Sequence, residues 1–215
     1  MNSPSNELMS MLSEYLSLDH LSCYSLPPEA YTDLDLHALE LDAIFRKEWL
    51  CVGRAEYIPA PGDYYCIDIL NESLVVVHGQ DGVIRALSNI CRHRFMPVAQ
   101  GSGNTKRFVC PYHAWTYSLS GELIGAPAME GAKDFKKSDH TLPVIRAETW
   151  GGFVFVNFDE SATSLLESLG DLPQRLQSYA LEDMLVTKKW ENRFNANWKV
   201  WVENSREGYH VPTIH

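Results

Sequence analysis

Two short motifs, each pairing a cysteine with a histidine, constrain this chain more than any other feature of its sequence. The first is Cys91-x-His93, and the second, Cys110-x-x-His113, follows after sixteen intervening residues (94–109). Thiolates and imidazoles are common transition-metal ligands in proteins, and two such pairs in one short segment indicate a shared metal centre. A chain with this pattern is expected to fold so that two loops, each carrying one motif, face each other.

Two kinds of metal centre use this set of ligands. Zinc binds two Cys and two His tetrahedrally. A Rieske [2Fe–2S] cluster takes two thiolates on one iron and two imidazoles on the other. Zinc fingers more often pair Cys with Cys and His with His, whereas each motif here supplies one of each. The pattern therefore favours a Rieske cluster held by Cys91, His93, Cys110 and His113, with a structural zinc site as an alternative.

Composition excludes several classes of function. The net charge is −10, which argues against a general nucleic-acid binder because such proteins carry a basic face. No apolar run approaches the roughly 18 residues needed to span a bilayer, and the N-terminus lacks the basic and apolar regions of an export signal. The five cysteines are irregularly spaced and odd in number, unlike a disulfide framework. We therefore expect a cytoplasmic protein that binds neither nucleic acid nor membrane.

The apolar pattern changes twice along the chain. Residues 1–45 have helical spacing, interrupted at "SLPPEAYT" and resuming from Leu36 to Trp49. Residues 46–160 contain short β-like runs separated by Gly, Pro, Asn and Asp, which is typical of a small antiparallel β domain. Residues 161–215 become helical again.

The apolar pattern of residues 161–215 is mixed. Residues 164–181 read as helical, and "MLVTKKWENRF" (184–194) reads as a strand. A final helix is expected to begin near Asn197. The sequence as a whole therefore predicts the α+β fold class.

A second candidate site lies in the last residues of the sequence, "ENSREGYHVPTIH". Four residues separate His210 from His215, and Glu207 lies three before His210. On an ideal helix Glu207 and His210 share a face, whereas His215 points about 140° away from His210. Pro212 disfavours helical geometry at Val211, so we expect a kink that lets the imidazoles converge. Taken alone, a His-x4-His pair is a weak signal.

The segment "CRHR…CPYHAWTYSLSGELIGAP" resembles the cluster-binding segment of Rieske non-heme iron oxygenases, the α subunits of ring-hydroxylating dioxygenases and related monooxygenases. Upstream, "YTDLDLHALELDAIFRKEWLCVGR" is similar to that family's approach to its Rieske domain. The resemblance implies a small antiparallel Rieske domain over 46–160. It also implies the start of an incomplete α+β catalytic domain of helix-grip type over 161–215, against which the helical segment 1–45 packs.

Five positions near the cluster motifs distinguish the chain from other Rieske proteins. Phe95 and Ala114 stand where the family usually has Gly, and either would be strained if its backbone required a positive φ. Met96 and Tyr112 replace two cysteines that form a disulfide in respiratory-type Rieske proteins. Trp115 replaces a serine that bonds a cluster sulfur in those proteins. Fewer hydrogen bonds to the cluster are expected to lower its reduction potential within the Rieske range of roughly −150 to +300 mV.

The resemblance also assigns roles to the second candidate site. It implies that His210 and His215 bind a mononuclear Fe(II), with a third ligand, an Asp, far downstream of this sequence. It implies that Glu207 bridges the iron site to a cluster histidine of a neighbouring subunit. Most family members have Asp there, and Glu is shared with some that act on quaternary ammonium compounds. The alternative is that Glu207 is a solvated helix acid. Asn204 is a weaker candidate for supporting the ligands, and Glu203 is not expected to be a ligand.

The function implied is that of an oxygenase component. Electrons from NAD(P)H would arrive through a separate reductase or ferredoxin. Mononuclear Fe(II) would then activate O2 to hydroxylate, dihydroxylate or dealkylate a small organic substrate, either an aromatic compound or a quaternary amine. The family also implies a homotrimer when full length, because neighbouring subunits bring a cluster and an iron close together. We expect the 215-residue chain alone to keep its cluster, bind mononuclear iron weakly and be inactive. The alternative is a non-catalytic Rieske electron carrier.

Overall fold

A computed structural model of the chain describes residues 4–19 and 21–215. The chain forms two compact units. One comprises the residues up to Ile44 together with Thr187–His215, and the other comprises Phe45–Val186. The domain limits predicted above stay predictions, because compact units and family domains are different divisions of a chain.

The described residues contain short helices and short strands, and the α+β fold class is confirmed. The α-helices are α1 Asn6–Tyr15, α2 Glu29–Thr32, α3 Leu34–Glu40, α4 Leu165–Leu169, α5 Leu172–Leu176, α6 Trp198–Arg206 and α7 Val211–Ile214. A π-helical turn, Leu41–Phe45, extends α3, and 3-10 turns lie at Ala55–Tyr57, Lys137–His140, Gln177–Tyr179 and Leu181–Asp183. None of the described helices is both long enough and apolar enough to cross a membrane.

The strands all lie in the second unit and pair antiparallel. They are β1 Leu50–Arg54, β2 Asp63–Ile69, β3 Glu72–His78, β4 Ile84–Ser88, β5 Ser102–Asn104, β6 Phe108–Val109, β7 Thr116–Tyr117, β8 Leu123–Gly125, β9 Val144–Trp150 and β10 Phe153–Asn157. A seven-stranded sheet has the order β1-β10-β9-β4-β3-β2-β5, and a small three-stranded sheet has the order β6-β7-β8. The small antiparallel β domain predicted from the sequence is confirmed.

Strand β3 is buried on both faces, which explains its continuous apolar run. Successive side chains of a strand point to opposite faces of the sheet. Val75 and Val77 therefore join one hydrophobic core, and Leu74 and Val76 join another, each no more than 1% exposed. The core of Val75 and Val77 also contains residues of the small sheet and both motif cysteines. The large sheet thus supports the loops that carry the metal motifs.

Two-residue turns with left-handed backbones connect the long hairpins. Leu70 and Asn71 join β2 to β3 with φ of 53° and 62°, and Gly151 and Gly152 join β9 to β10 with φ of 56° and 79°. Positive φ at both central residues is the geometry of a type I′ turn, whose twist matches that of the paired strands. These turns fix the register of the large sheet.

The first unit has a small core of its own, formed by Leu8, Ala30 and Leu36. The predicted last helix is confirmed: α6 begins at Trp198, and the Asn197 side chain caps it by accepting a hydrogen bond from the Lys199 amide (3.1 Å). An N-cap oxygen satisfies an amide that has no partner within the helix.

Three details of the predicted secondary structure are wrong. The interruption "SLPPEAYT" contains the short helix α2, and the helical pattern after Leu36 ends at Phe45 rather than Trp49. The predicted strand at 184–194 is irregular in the structure. Its residues have β-forming side chains, but a strand also needs a hydrogen-bonded neighbour, and no described strand pairs with this segment.

Candidate cluster and iron sites

The first motif lies in a tight loop between β4 and β5. The Cys91 amide donates a hydrogen bond to the Met96 carbonyl (2.9 Å), and the Phe95 amide donates one to the Cys91 carbonyl (3.1 Å). The loop therefore returns on itself within six residues. Its closure requires a left-handed backbone at Phe95, where φ is 58°.

The second motif lies in a loop of the same design between β6 and β7. The Cys110 amide donates to the Trp115 carbonyl (2.8 Å), and the Ala114 amide donates to the Cys110 carbonyl (3.0 Å). The left-handed residue is Ala114, with φ of 57°, again four positions after the cysteine. The two loops are thus equivalent in backbone, although the histidine lies two residues after the first cysteine and three after the second.

Replacing Ala114 by glycine is expected to stabilise the second loop. A left-handed backbone costs a residue with a Cβ about 1–3 kcal/mol of strain, which glycine relieves. Glycine also makes the unfolded chain more flexible, which offsets part of this gain, so the free energy of unfolding should rise by about 1 kcal/mol. The temperature at which the cluster absorption is lost on heating should rise by roughly 2–4 °C. Ala132→Gly is the control, because exposed Ala132 is not among the residues with positive φ and should lose stability instead. An unchanged or lower midpoint for Ala114→Gly would contradict the strain.

The two thiols are buried and one has a hydrogen-bond partner. Cys91 and Cys110 are 1% and 2% exposed. The Tyr117 hydroxyl lies 3.3 Å from the Cys91 sulfur and accepts a hydrogen bond from the Arg92 amide (3.0 Å). Burial and the Cys91 sulfur raise the pKa of Tyr117, so its proton is retained and is free to bond the sulfur. Trp115 in place of a serine predicted a lower reduction potential for the cluster. The Tyr117 hydroxyl is a donor that this prediction omits, and a hydrogen bond to the sulfur raises the reduction potential.

The two imidazoles lie side by side at the tips of the loops. The ring centroids of His93 and His113 are 4.5 Å apart, and His93 stacks on the buried indole of Trp115 (4.8 Å, 10° between planes). The Nδ1 atom of His93 is buried and has no hydrogen-bond partner. Burial lowers the pKa of His93, and His113 and Arg94 lower it further, which favours the neutral form that binds metals.

These observations test whether the residues fit a Rieske cluster. Two buried thiols, two adjacent imidazoles and a buried ring nitrogen without a partner are the donor set that the cluster requires. Among residues 4–19 and 21–215, no group of three or more His, Cys, Asp or Glu side chains is arranged around a single ion. A Rieske cluster needs only two protein ligands on each iron, so the donor set fits it.

The segment before His210 differs from the helix expected above. Helix α6 ends at Arg206, and Glu207 has an extended backbone (φ −116°, ψ 150°). A new one-turn helix, α7, begins after His210 with Pro212 in its first turn. The prediction that Glu207 and His210 share a face of one helix is therefore wrong, because the chain leaves the helix between them.

Glu207 nevertheless contacts His210 directly. One carboxylate oxygen accepts hydrogen bonds from the amides of Tyr209 and His210, the latter at 3.2 Å. The other bonds Nδ1 of the His210 ring. His210 is the main cause that lowers the pKa of Glu207, so the ionised carboxylate accepts the Nδ1 proton. The lone pair of His210 then lies on Nε2, which leaves that nitrogen available to a metal.

The two candidate iron ligands flank α7 and their rings approach each other. The centroids of His210 and His215 are 5.4 Å apart with 76° between the planes. The one-turn helix α7, which has Pro212 in its first turn, brings the second imidazole back towards the first. Two converging imidazoles, one oriented by a carboxylate, fit part of the two-His-one-carboxylate set of a non-heme iron site.

Three residues near these sites were missed from the sequence. Tyr117 contacts a cluster cysteine, and His140, for which the sequence indicates no role, packs edge-on against Trp115 (5.4 Å). Tyr31 donates to the carboxylate of Glu203 on α6 (2.9 and 3.0 Å). Each contact joins residues far apart in the sequence or across a sheet, so no local pattern could indicate it. His20, to which no sequence motif assigns a role, lies outside the described residues.

Fold and site together define the class of protein. An antiparallel β unit that presents two Cys-His loops on a supporting sheet is typical of an iron–sulfur protein of the Rieske type. Residues 48–136 match the Rieske [2Fe-2S] domain family, and residues 181–215 match the catalytic domain of the ring hydroxylating alpha subunit family. The chain therefore carries the two domain matches of a Rieske oxygenase alpha subunit, as the motifs predicted, and these matches imply a Rieske cluster and a mononuclear iron.

The relatives are oxygenase subunits. The chain is 34% identical over 195 residues to the carnitine monooxygenase oxygenase subunit of Acinetobacter pittii, covering 89% of this chain and 53% of that protein. It is 36% identical over 200 residues to the glycine betaine monooxygenase oxygenase subunit of Pseudomonas aeruginosa, covering 93% and 46%. The chain therefore spans about half the length of these relatives.

Solved structures show the same fold. The quaternary ammonium Rieske monooxygenase CntA bound to gamma-butyrobetaine superposes with a TM-score of 0.85 at 34% identity, covering 88% of this chain and 55% of that one. Naphthalene 1,2-dioxygenase from Rhodococcus sp. superposes with a TM-score of 0.86 at 34% identity, covering 97% and 49%. The relatives thus include enzymes named for amines and for an aromatic hydrocarbon.

Proposed function

We propose that this chain is the cluster-bearing part and the iron-ligand segment of a Rieske monooxygenase that acts on a quaternary ammonium compound. The observation that carries the proposal is the contact between Glu207 and Nδ1 of His210, on the same chain as the two Cys-His loops. The carnitine and glycine betaine relatives support the amine rather than an aromatic substrate. The non-catalytic electron carrier gains no support, since residues 181–215 match a catalytic domain.

The side chains have separate tasks in this proposal. Cys91 and Cys110 would supply thiolates to a cluster, and His93 and His113 would supply imidazoles. The cluster would carry single electrons when bound, and an iron held by His210 and His215 would supply the activation of O2. Glu207 keeps the proton of His210 on Nδ1 and so directs Nε2 to the iron.

Electrons are proposed to pass between copies of the chain in a homotrimer, as the family implies, after delivery by a reductase or ferredoxin. The distribution of charge supports contact between copies. Residues 82–121, which contain both loops, have no Asp or Glu; their charged residues are Arg85, Arg92, Arg94, Lys106 and Arg107. Residues 1–45 have eight acidic residues and no Lys or Arg. Segments of opposite net charge in neighbouring copies would attract each other and orient their association.

The test uses the protein as its gene encodes it, with a reductase, NADH and O2. Glycine betaine, carnitine and choline are compared with 3,3-dimethylbutanoate, which has the shape of glycine betaine but no positive charge. We expect O2 uptake and aldehyde formation with at least one amine, because hydroxylation beside nitrogen releases an aldehyde. We expect neither with 3,3-dimethylbutanoate, which lacks the quaternary nitrogen. Turnover of naphthalene but of no amine would contradict the substrate class. Reduction of the cluster without any substrate turnover would favour the electron carrier.

A further inference from the structure

A buried ionic network joins the N-terminal segment to α6 within the first unit. Glu40, at the end of α3, is 8% exposed. One of its carboxylate oxygens accepts from Nζ of Lys199 (2.5 Å), and the other accepts from the indole N–H of Trp198 (2.9 Å). Both oxygens are therefore engaged by the first two residues of α6.

The partner of Glu40 is buried as well. The Lys199 side chain is 11% exposed, and its ammonium lies 5.8 Å from the ring centroid of Tyr31. A buried charge that loses its partner is strongly destabilised, so this pair permits only arrangements that keep Glu40 and Lys199 together. The network therefore sets where α6 starts.

A second contact lies one turn further along the same helix. The Tyr31 hydroxyl donates to the Glu203 carboxylate, and the Asn197 side chain donates to the Tyr31 carbonyl (3.2 Å). Burial and the Glu203 carboxylate raise the pKa of Tyr31, so the hydroxyl stays protonated. Lys199 and Glu203 are four residues apart and so lie on one face of α6. The N-terminal segment therefore contacts this face at two successive turns.

The helix transmits this placement to the candidate iron site. An α-helix rises 1.5 Å per residue and is stiff over a few turns, so fixing residues 198–203 fixes the position at which α6 ends. Glu207 follows directly after that end, and His210 is held by Glu207. A shift of the helix would move both residues.

We propose that Glu40 and Tyr31 are positioning residues for the mononuclear iron site, acting through α6. This inference rests on the proposed function, in which His210 and His215 bind the iron. It assigns a task to the N-terminal segment that neither motif explains. It also accounts for Glu203, whose carboxylate is turned to Tyr31 rather than left free to bind metal.

The first test uses Tyr31→Phe, which removes only the hydroxyl that bonds the Glu203 carboxylate and should not disturb folding. In the protein as its gene encodes it, with the cluster intact, the mononuclear iron is removed by chelation and Co²⁺ is titrated. We expect the Co²⁺ affinity to fall on the order of tenfold, the lower end of the loss seen when a group behind a metal ligand is removed. The visible Co²⁺ spectrum should change as well, because it reports ligand geometry.

The matched control is Tyr15→Phe. Tyr15 belongs to the same N-terminal segment, and its hydroxyl donates to the Ser25 carbonyl (3.1 Å) rather than to α6. We expect wild-type affinity and spectrum for this variant. If both tyrosine variants lost the same Co²⁺ affinity, the cause would be a general destabilisation of the N-terminal segment, and the inference would be overturned.

The second test examines the buried pair. Glu40→Gln leaves the Lys199 ammonium without a counter-charge and is expected to weaken Co²⁺ binding and to lower the melting temperature. Adding Lys199→Met removes the unpaired charge. We expect the double variant to recover thermal stability but not the Co²⁺ spectrum, because the bonds that orient α6 are still missing. Recovery of both would show a structural role only and would overturn the inference.

These results are distinguishable from a failure of the proposed function. If wild-type protein with an intact cluster binds no Co²⁺, or binds it independently of His210, the proposed iron ligands are wrong. If wild type binds Co²⁺ and the Tyr31→Phe and Glu40→Gln variants bind it equally well with an unchanged spectrum, the iron site stands and the positioning role is refuted.

Discussion

Replacing His93 by alanine should abolish the [2Fe–2S] cluster. His93 presents a buried ring nitrogen that has no other partner, next to the ring of His113. Metal binding and folding of such loops are coupled, so loss of one of four ligands removes much of the free energy that holds the cluster. Wild-type protein should be brown, with the two irons and two labile sulfides of the cluster and the EPR signal of mixed His and Cys ligation. The variant should be colourless, with little sulfide.

The control for this experiment is His140→Ala. His140 packs against Trp115, as His93 does, but on its edge (5.4 Å) and outside both motifs. We expect this variant to keep iron, sulfide and colour. Stoichiometric zinc without sulfide in the wild-type protein would instead favour the structural zinc site.

The second large effect is expected from Glu207→Gln in the protein as its gene encodes it. Glutamine preserves the size of the side chain but removes the charge that orients His210 through Nδ1. If Glu207 also bridges to a cluster histidine of a neighbouring copy, the variant should keep both metal contents. Oxidation of the reduced cluster by O2 with substrate bound should then slow by about 10- to 100-fold, the range for groups behind metal ligands.

Glu191→Gln is a suitable control, because Glu191 is an exposed acid of the same unit that pairs with Arg193 (3.5 Å). Its single-turnover rate should equal that of wild type. An unchanged rate of cluster oxidation in Glu207→Gln would show that Glu207 is a solvated acid with no role in electron transfer. Loss of the mononuclear iron would show that Glu207 mainly holds the iron site, by orienting His210 or as a ligand, rather than bridging to a cluster.

The cluster loops show how far local sequence reasoning reaches. The identity of the candidate ligands follows from their spacing, and the possible strain at Phe95 and Ala114 follows from the absence of glycine. The structure gives both residues a left-handed backbone, with φ of 58° and 57°. The donor to the Cys91 sulfur could not be found in this way, because Tyr117 approaches from a strand that comes 26 residues later.

The segment from α6 to His215 shows where such reasoning fails. The cap at Asn197 was predictable, since it depends on an amide two residues away. The end of α6 before Glu207 was not, because helical periodicity alone does not locate the extended backbone at Glu207. The strand predicted at 184–194 fails for a related reason: β propensity describes the residues, whereas a strand also depends on a neighbour elsewhere in the fold.

The donor atoms available to this protein follow directly from its amino-acid sequence. Two Cys-His motifs and a Glu-x-x-His segment are short-range patterns, and their spacing fixes which donor atoms one loop can present. Tertiary structure alone decided what surrounds those donors: the Tyr117 hydroxyl at Cys91, and the contacts of Tyr31 and Glu40 with α6. These contacts join residues up to 172 positions apart. They exist only because folding brings distant segments together, so no local period of the sequence encodes them.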